Sequence, residues 1–466
     1  MRGMRHGWRG ILLAASLALA IIFVGCASGG ATHATAPHTT PTISAQLPHV
    51  PVIAASGPDH TYAFVYGNQV WAHVQGVKTP VQLTHLTQPT GITIRWGPLV
   101  WSQSGKYLAF ALALGQSSAG ALEYIDTTDC LTGNSPCQLH QTPGTGSVYG
   151  HTYSWYRDDM LVYGSGAGLT FYDVADPNGA RTWQARIVYN ADSTASIGDD
   201  QCATPRSYGD TQVVGETLYY TCQTLSNPGA LTVVGSALLY QLDLSPIGAI
   251  EATYDPTNQS TAFTRDESLG TLFNQAINGQ TLQGNVVASL GSVYVDQQGE
   301  PVAGAWAARG TTLVYQIVGA VNGSSANATV NARICVSRAT VVVNQATPSP
   351  GATASPTNTC GSPILTNVGA LSVNAHPQLA IAANGTVALS GALLVIQNSA
   401  TVIASINWPG PPAWAGNILL FTQLDNQTTS ASGVTRYLTS VEMVQPGQEP
   451  TTLIAGAANL AFQSNQ

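Results

Sequence analysis

Seven cysteines, ten histidines and 23 carboxylates are the side chains with chemistry to offer in this chain. Setting Cys26 aside leaves Cys130, Cys137, Cys202, Cys222, Cys335 and Cys360. An even set of thiols favours disulfides in an oxidising compartment, and many pairings are formally open. Sequence neighbours suggest Cys130–Cys137, Cys202–Cys222 and Cys335–Cys360, each bracketing turn formers such as Gly133-Asn134-Ser135-Pro136. Zinc ligation and free thiols are the rival readings. No CxxC occurs and His140 stands in no zinc-finger spacing, so no metal site is expected.

Hydrolysis of a glycan would need two carboxylates about 5–9.5 Å apart. Two adjacent pairs exist, Asp158-Asp159 and Asp199-Asp200. The first falls in a turn, where short carboxylates bond the backbone. The second lies beside Cys202. His60, His73, His85, His140, His151 and His376 show no ligand spacing, and HExxH, GxSxG, Walker and EF-hand motifs are absent. No catalytic residue is singled out, and no cofactor is expected. Trp408, followed by Pro409-Gly410-Pro411-Pro412, is a candidate recognition aromatic.

The start of the chain has its own chemistry. Arg2, Arg5 and Arg9 precede an apolar and small-residue run, Ile11 to Val24, too short to span a membrane. The run ends Phe23-Val24-Gly25-Cys26. This resembles the lipobox of bacterial lipoproteins, with Phe23 where that family favours Leu. The resemblance implies a signal peptide over 1–25, acylation of the Cys26 thiol and cleavage before it. Stable anchoring takes more than one acyl chain, and that modification supplies several. An uncleaved anchor or an ordinary signal peptide are the alternatives, and both keep the protein exported. Residues 26–49, rich in Ala, Thr, Pro and Ser, read as a flexible tether.

The elements that must carry these residues are strands. Hydrophobic residues make up 44% of 466, charged residues only 8%, and lysine occurs only at Lys78 and Lys106. Helix surfaces are normally built from Glu, Lys and Arg, so this composition suits an all-β protein. The net charge is −8 and no basic stripe exists, which argues against nucleic acid as a partner. From residue 50 onward, short apolar runs alternate with Gly, Asn, Asp, Ser and Pro, the punctuation of strands and hairpins.

One unit recurs: Trp, a tight turn, then a strand ending in an aromatic. It runs Trp101 to Phe110, Trp155 to Tyr163, Trp306 to Tyr315 and Trp414 to Phe421. Weaker copies lie at Tyr62-Ala63-Phe64, Leu218-Tyr219-Tyr220, Thr261-Ala262-Phe263, Asn384 to Leu389 and Leu460-Ala461-Phe462. A second element repeats between Gly76–Thr84 and Pro446–Ile454. An all-strand period of roughly 40–50 residues signals a β-propeller. The expectation is a single propeller over 50–466 with about seven four-stranded blades, six or eight being alternatives. Loop insertions are expected near 319–331 and 344–363. The last strand, Asn459 to Phe462, should share a blade with Tyr62-Ala63-Phe64, leaving no open sheet edge.

Pro80-x-x-Leu83-Thr84, then Trp101-Ser102-x-Ser104-Gly105-Lys106-Tyr107-Leu108-Ala109-Phe110, resembles the repeat of TolB-type propellers, relatives of the WD repeat. That resemblance implies envelope-associated interaction, although fold alone does not fix function. The leading expectation is a lipid-anchored platform, on the outer face of the cytoplasmic membrane or in the cell envelope, binding a protein, peptide or glycan. An extracytoplasmic propeller enzyme, either a glycan hydrolase or a lyase, is the first alternative. A solute-binding lipoprotein is the second.

Overall fold

Short runs closed by glycine and asparagine turns complete their backbone hydrogen bonds most simply as hairpins. The computed structural model describes residues 50–463 apart from 88–91, 93, 116, 118, 134–136, 148–152, 166–167, 175–182, 186–205, 226–232, 246–283, 297–300, 323–328, 339–370, 373–375, 392, 398–401, 405–411 and 430–434. The elements assigned among the described residues are strands, β1 to β30. The segments expected as signal peptide and tether, Cys26, Asp199-Asp200, Phe263, the insertion expected at 344–363 and Trp408 lie outside the described residues.

The strands form small, mainly antiparallel sheets, each following the chain outward from an inner strand. Blade 1 is closed by the two ends of the domain. Its inner strand is the last of the chain, β30 (Ala457–Phe462), followed by β1 (Tyr62–Tyr66), β2 (Gln69–His73) and β3 (Val81–Gln82). Tyr62 faces Phe462 and Ala63 faces Ala461 across the closing pair, as expected. Blade 2 sets β4 (Ile94–Trp96) and β5 (Val100–Trp101) against β6 (Tyr107–Leu114), then adds β7 (Ala119–Asp126) and β8 (Gln138–Ser147). Blade 3 runs β9 (Tyr153–Tyr156), β10 (Met160–Ser165), β11 (Gly168–Asp173) and β12 (Trp183–Ala185).

The next two blades share one nine-stranded sheet. Its first half is β13 (Arg206–Val214), β14 (Thr217–Thr224), β15 (Val233–Asp243) and β16 (Asn285–Val295), with β17 (Pro301–Val302) on the edge of β16. Its second half is β18 (Trp306–Arg309), β19 (Thr312–Asn322), β20 (Thr329–Arg338) and β21 (Leu371–Ser372). The halves join only through a parallel pairing of Gly291 with Val318. Gly291 has φ +79°, and a Cβ there would sit 2.0 Å from the Val318 carbonyl oxygen, so only glycine permits the approach. Blade 6 is β22 (Gln378–Ile381), β23 (Val387–Ser390), β24 (Leu393–Ile396) and β25 (Val402–Ala404). Blade 7 is β26 (Ala413–Ala415), β27 (Ile418–Thr429), β28 (Thr435–Val444) and β29 (Thr451–Ala455).

Two observations make this a ring of seven. The inner strands touch in a closed circuit: β30, β5, β9, β13, β18, β22, β26 and back to β30. Each of the seven interfaces also holds its own buried cluster, from Val65 with Leu108 and Phe110 between blades 1 and 2 to Val441 with Phe64 between blades 7 and 1. The alternation of β6 shows why. Leu108 and Phe110 face blade 1 while Tyr107, Ala109 and Ala111 face blade 3. A strand buried on both faces reads as a continuous apolar run.

The recurring aromatics Phe64, Phe110, Tyr163, Tyr219, Tyr315 and Phe421 all stand on second strands. The weak copy ending at Leu389 is the second strand of blade 6. The frame of the sequence repeat differs from the structure at two places. Trp306 pairs with Tyr315 and lies in the core between blades 4 and 5, two residues before the position that Trp155 and Trp414 occupy, where blade 5 has Ala308. Within the stretch 319–331, expected as a loop, 319–322 and 329–331 belong to β19 and β20, paired as far as Asn322 with Thr329, while 323–328 lie outside the described residues. The related segments around 76–84 and 446–454 both connect third to fourth strands, β2 to β3 and β28 to β29.

Candidate functional site

The inner strands carry a belt of side-chain hydrogen bonds across the blade interfaces. Three are indole donors reaching back to the preceding blade. Trp101 donates Nε1–H to the Ala461 carbonyl at 3.1 Å, Trp155 to Val100 at 2.9 Å, and Trp414 to Ala380 at 3.4 Å. Interfaces without a tryptophan use other groups. Gln212 clasps Ala308 of the next blade twice, donating to its carbonyl and accepting from its N–H, both at 2.9 Å. Arg309 donates to the Ile381 carbonyl at 3.2 Å. Ser154 meets Thr211 at 3.3 Å between blades 3 and 4, and the Asn459 N–H meets the Thr422 hydroxyl at 3.1 Å between blades 7 and 1. Strand edges on a central channel have no backbone partner, and this belt satisfies some of their carbonyls.

The belt surrounds a cavity of about 590 Å³, within the size range of small-ligand sites. Trp101, Trp155 and Trp414 contribute to its wall. At the end where inner strands turn into second strands it is bordered by Gln103, Arg157, Arg309 and Gln463. Its described lining holds two charged side chains, both arginines, and no carboxylate. Arg157 sits 3.6 Å from Glu216, which also accepts the Tyr156 hydroxyl. Burial, and secondarily that carboxylate, push the Tyr156 phenol above its ordinary value. Arg309 is exposed, and its guanidinium meets only the Ile381 carbonyl among the described residues. Toward the other end of the inner strands the wall is apolar, with Leu99, Leu379 and Pro412. There Tyr153 is fully buried, accepts the Ala111 N–H at 2.9 Å and donates to the Pro98 carbonyl; burial raises its phenol.

Of the two carboxylate pairs singled out in the sequence, Asp158-Asp159 lies among the described residues. Asp158 is turn chemistry of an inter-blade kind: it accepts the Ser104 N–H of the neighbouring turn at 2.6 Å. The strong-repeat residues Trp101, Phe110, Trp155, Tyr163, Trp306, Tyr315 and Phe421 are all buried, while Trp414 is half-buried at the cavity wall. Cys130 and Cys137 form the expected disulfide. Cys222 and Cys335 are disulfide-bonded too, and their expected partners Cys202 and Cys360 lie outside the described residues. Among the described residues no group of three or more metal-ligating side chains converges.

Arg157, Arg309 and Gln212 were not singled out from the sequence. The signal for the arginines was present. Each directly follows the inner-strand run of a strong repeat and sits at its turn, Arg157 after Tyr153–Tyr156 and Arg309 at the end of Trp306–Arg309.

No family model matches the chain, and no curated protein matches it. Among solved structures it is similar to one from a structural and mechanistic study of two prolyl endopeptidases, at 8% identity over 89% of this chain and 50% of that one, with a TM-score of 0.39. The chain thus spans half the length of that protein. It is also similar to apo AztD from Citrobacter koseri, at 9% identity over 86% and 97% of the two chains, TM-score 0.33. A third is Drosophila Semaphorin 1a, extracellular domains 1-2, at 8% identity over 87% of each chain, TM-score 0.26. The propeller assignment rests on the strand order and the closed circuit of inner strands.

Proposed function

We propose that this protein is an exported, lipid-anchored propeller of TolB type whose ring presents a binding site for a protein, peptide or glycan. The observation that supports it most is the cavity at the ring axis, bounded on one end by Gln103, Arg157, Arg309 and Gln463. Each comes from a different blade, which is how a propeller builds one site from many short turns. A glycosidase would need a carboxylate pair in such a cavity, and the described lining offers none. The anchor reading rests on the lipobox-like Phe23-Val24-Gly25-Cys26.

Two measurements test the proposal. Full-length protein expressed in a bacterial host should fractionate with membranes and carry acyl mass on Cys26, and Cys26→Ala should abolish the acyl mass. An unmodified Cys26 in the mature protein rules out the anchor. Partners captured from envelope extracts by the wild type should be lost with Gln103→Trp, which narrows the cavity mouth. Retention of every partner by that variant would place binding elsewhere.

A further inference from the structure

We propose that the axial cavity recognises a carboxylate on a ligand with an apolar body, the acid held at the turn end by Arg309, with Arg157 lining the same end from two blades away. The inference deepens the binding-site reading above and rests on it. Its first ground is charge. The chain carries 23 acidic and 15 basic side chains, yet both charged residues on the described lining are arginines. Lysine, a strongly hydrated point charge, is absent there; the guanidinium is a planar fork whose paired N–H groups match a carboxylate.

The second ground is the unequal state of the two cations. Arg157 is partly compensated by Glu216 at 3.6 Å. Arg309 has no carboxylate within ion-pair distance among the described residues, and its one hydrogen bond, to Ile381, leaves most of its N–H donors unspent. That bond fixes the side chain across the blade 5–6 interface, so less rotamer freedom is lost when an anion arrives. A cation without an anionic partner at the mouth of a cleft draws anions toward that cleft.

The third ground is the gradient along the axis. The arginines and glutamines stand at the turn end, while Leu99, Leu379 and Pro412 stand at the other end of the inner strands. Indole edges from Trp101, Trp155 and Trp414 lie on the wall between. An amphipathic acid satisfies both ends at once, its carboxylate on the guanidinium and its body against aliphatic and aromatic wall. A peptide C-terminus with an apolar last residue and a small aryl-alkyl acid share that chemistry.

Calorimetric titration of the full-length protein in detergent micelles separates the outcomes. The probes are N-acetyl-Ala-Ala-Phe as free acid, the same peptide as its C-terminal amide, and 4-phenylbutyrate. The free acid should bind, quench tryptophan fluorescence, and exceed the amide by at least about tenfold, the loss of one charge-assisted hydrogen bond. Arg309→Gln should remove that preference, Arg309→Lys should restore part of it, and Arg157→Gln should weaken it less. Phenylbutyrate binding as tightly as the peptide acid would show that the carboxylate and ring suffice; peptide binding alone would assign the source to a C-terminus. Equal binding of acid and amide, both lost in Gln103→Trp, overturns carboxylate recognition and leaves the axial site standing. Binding of no probe overturns the inference outright. Acid binding untouched by Gln103→Trp overturns both readings.

Discussion

Trp101 and Ala461 are joined by an indole N–H to carbonyl hydrogen bond of 3.1 Å across 360 residues of sequence. The contact links the second blade to the strand that closes the first, so the last strand is held on one side by β1 pairing and on the other by this indole. A ring assembled from local hairpins has one long-range event, the docking of β30, and its entropy cost is offset at this seam. Trp101→Phe keeps most of the ring packing and deletes the donor. It should cost about 1 kcal/mol in urea unfolding, whereas Trp101→Ala should cost about 3–5 kcal/mol through the void it leaves. Hydrogen exchange of the 457–462 amides should accelerate in both. Unchanged exchange there in Trp101→Phe would mean the seam does not depend on the indole.

The architecture was legible because a blade is local. Trp-to-aromatic hairpins such as Trp101 to Phe110 are written within ten residues, and burial on both faces of each second strand leaves a continuous apolar signature. The closing pair of Ala63 with Ala461 was legible from two half-units at the ends. The register of Trp306 was not. Two residues of slip keep a side chain on the same face of a strand, so Trp306 and Ala308 look interchangeable until the partner Tyr315 is seen. The cavity was legible least. Arg157, Gln212 and Arg309 come from blades 3, 4 and 5, and nothing in one blade announces what another brings to the axis.

Glu123 on β7 is buried, and its Oε2 has no hydrogen-bond partner among the described residues. Burial raises its carboxyl above the usual glutamate value. The folded protein therefore keeps the proton to higher pH than the unfolded chain does. Between the two values the folded state binds more protons, so stability falls as pH rises through that window and stays reduced above it. Glu123→Gln removes the charge while keeping the shape, and a buried amide costs less than a buried carboxylate. The variant should match wild type in melting temperature near pH 4, below about the ordinary glutamate value, and exceed it at neutral pH. A melting-temperature difference that is flat across this range would show that Glu123 titrates normally.

The Cys130–Cys137 bridge spans seven positions and closes the connection between β7 and β8. A loop this short constrains the unfolded chain modestly, by about 2.5 kcal/mol in the chain-entropy model. Cys130 also packs in the cluster that contains Leu108 and Ile125, so its replacement disturbs apolar contacts as well. The double variant Cys130→Ala with Cys137→Ala should lose about 2–3 kcal/mol in chemical denaturation. Cys222 and Cys335 are disulfide-bonded as well, so reductant acts on every bridge; the fall on reduction should be smaller in the double variant than in the wild type by a similar amount if the Cys130–Cys137 bridge rather than the packing is responsible. An equal fall in the two would assign the effect to the side chains in the cluster.

Asn459 combines three demands in one residue. Its backbone has φ +49°, its N–H meets the Thr422 hydroxyl of blade 7 at 3.1 Å, and its Nδ2 donates to the Trp96 and Gly97 carbonyls of blade 2 at 3.1 and 3.0 Å. Asparagine tolerates the left-handed region better than most side chains, and its amide carries two donors. Asn459→Gly relieves the backbone but deletes both donors, which should cost about 1–2 kcal/mol. Asn459→Ala deletes the donors and adds left-handed strain of about 1–2 kcal/mol. Asn459→Asp keeps the shape and turns donors into acceptors facing two carbonyls, so it should be the most damaging at neutral pH and recover in acid, where one oxygen regains a proton. Urea midpoints should therefore fall in the order wild type, Gly, Ala, Asp at neutral pH. Equal stability of Gly and wild type would show that the seam between blades 7, 1 and 2 is held by backbone geometry alone.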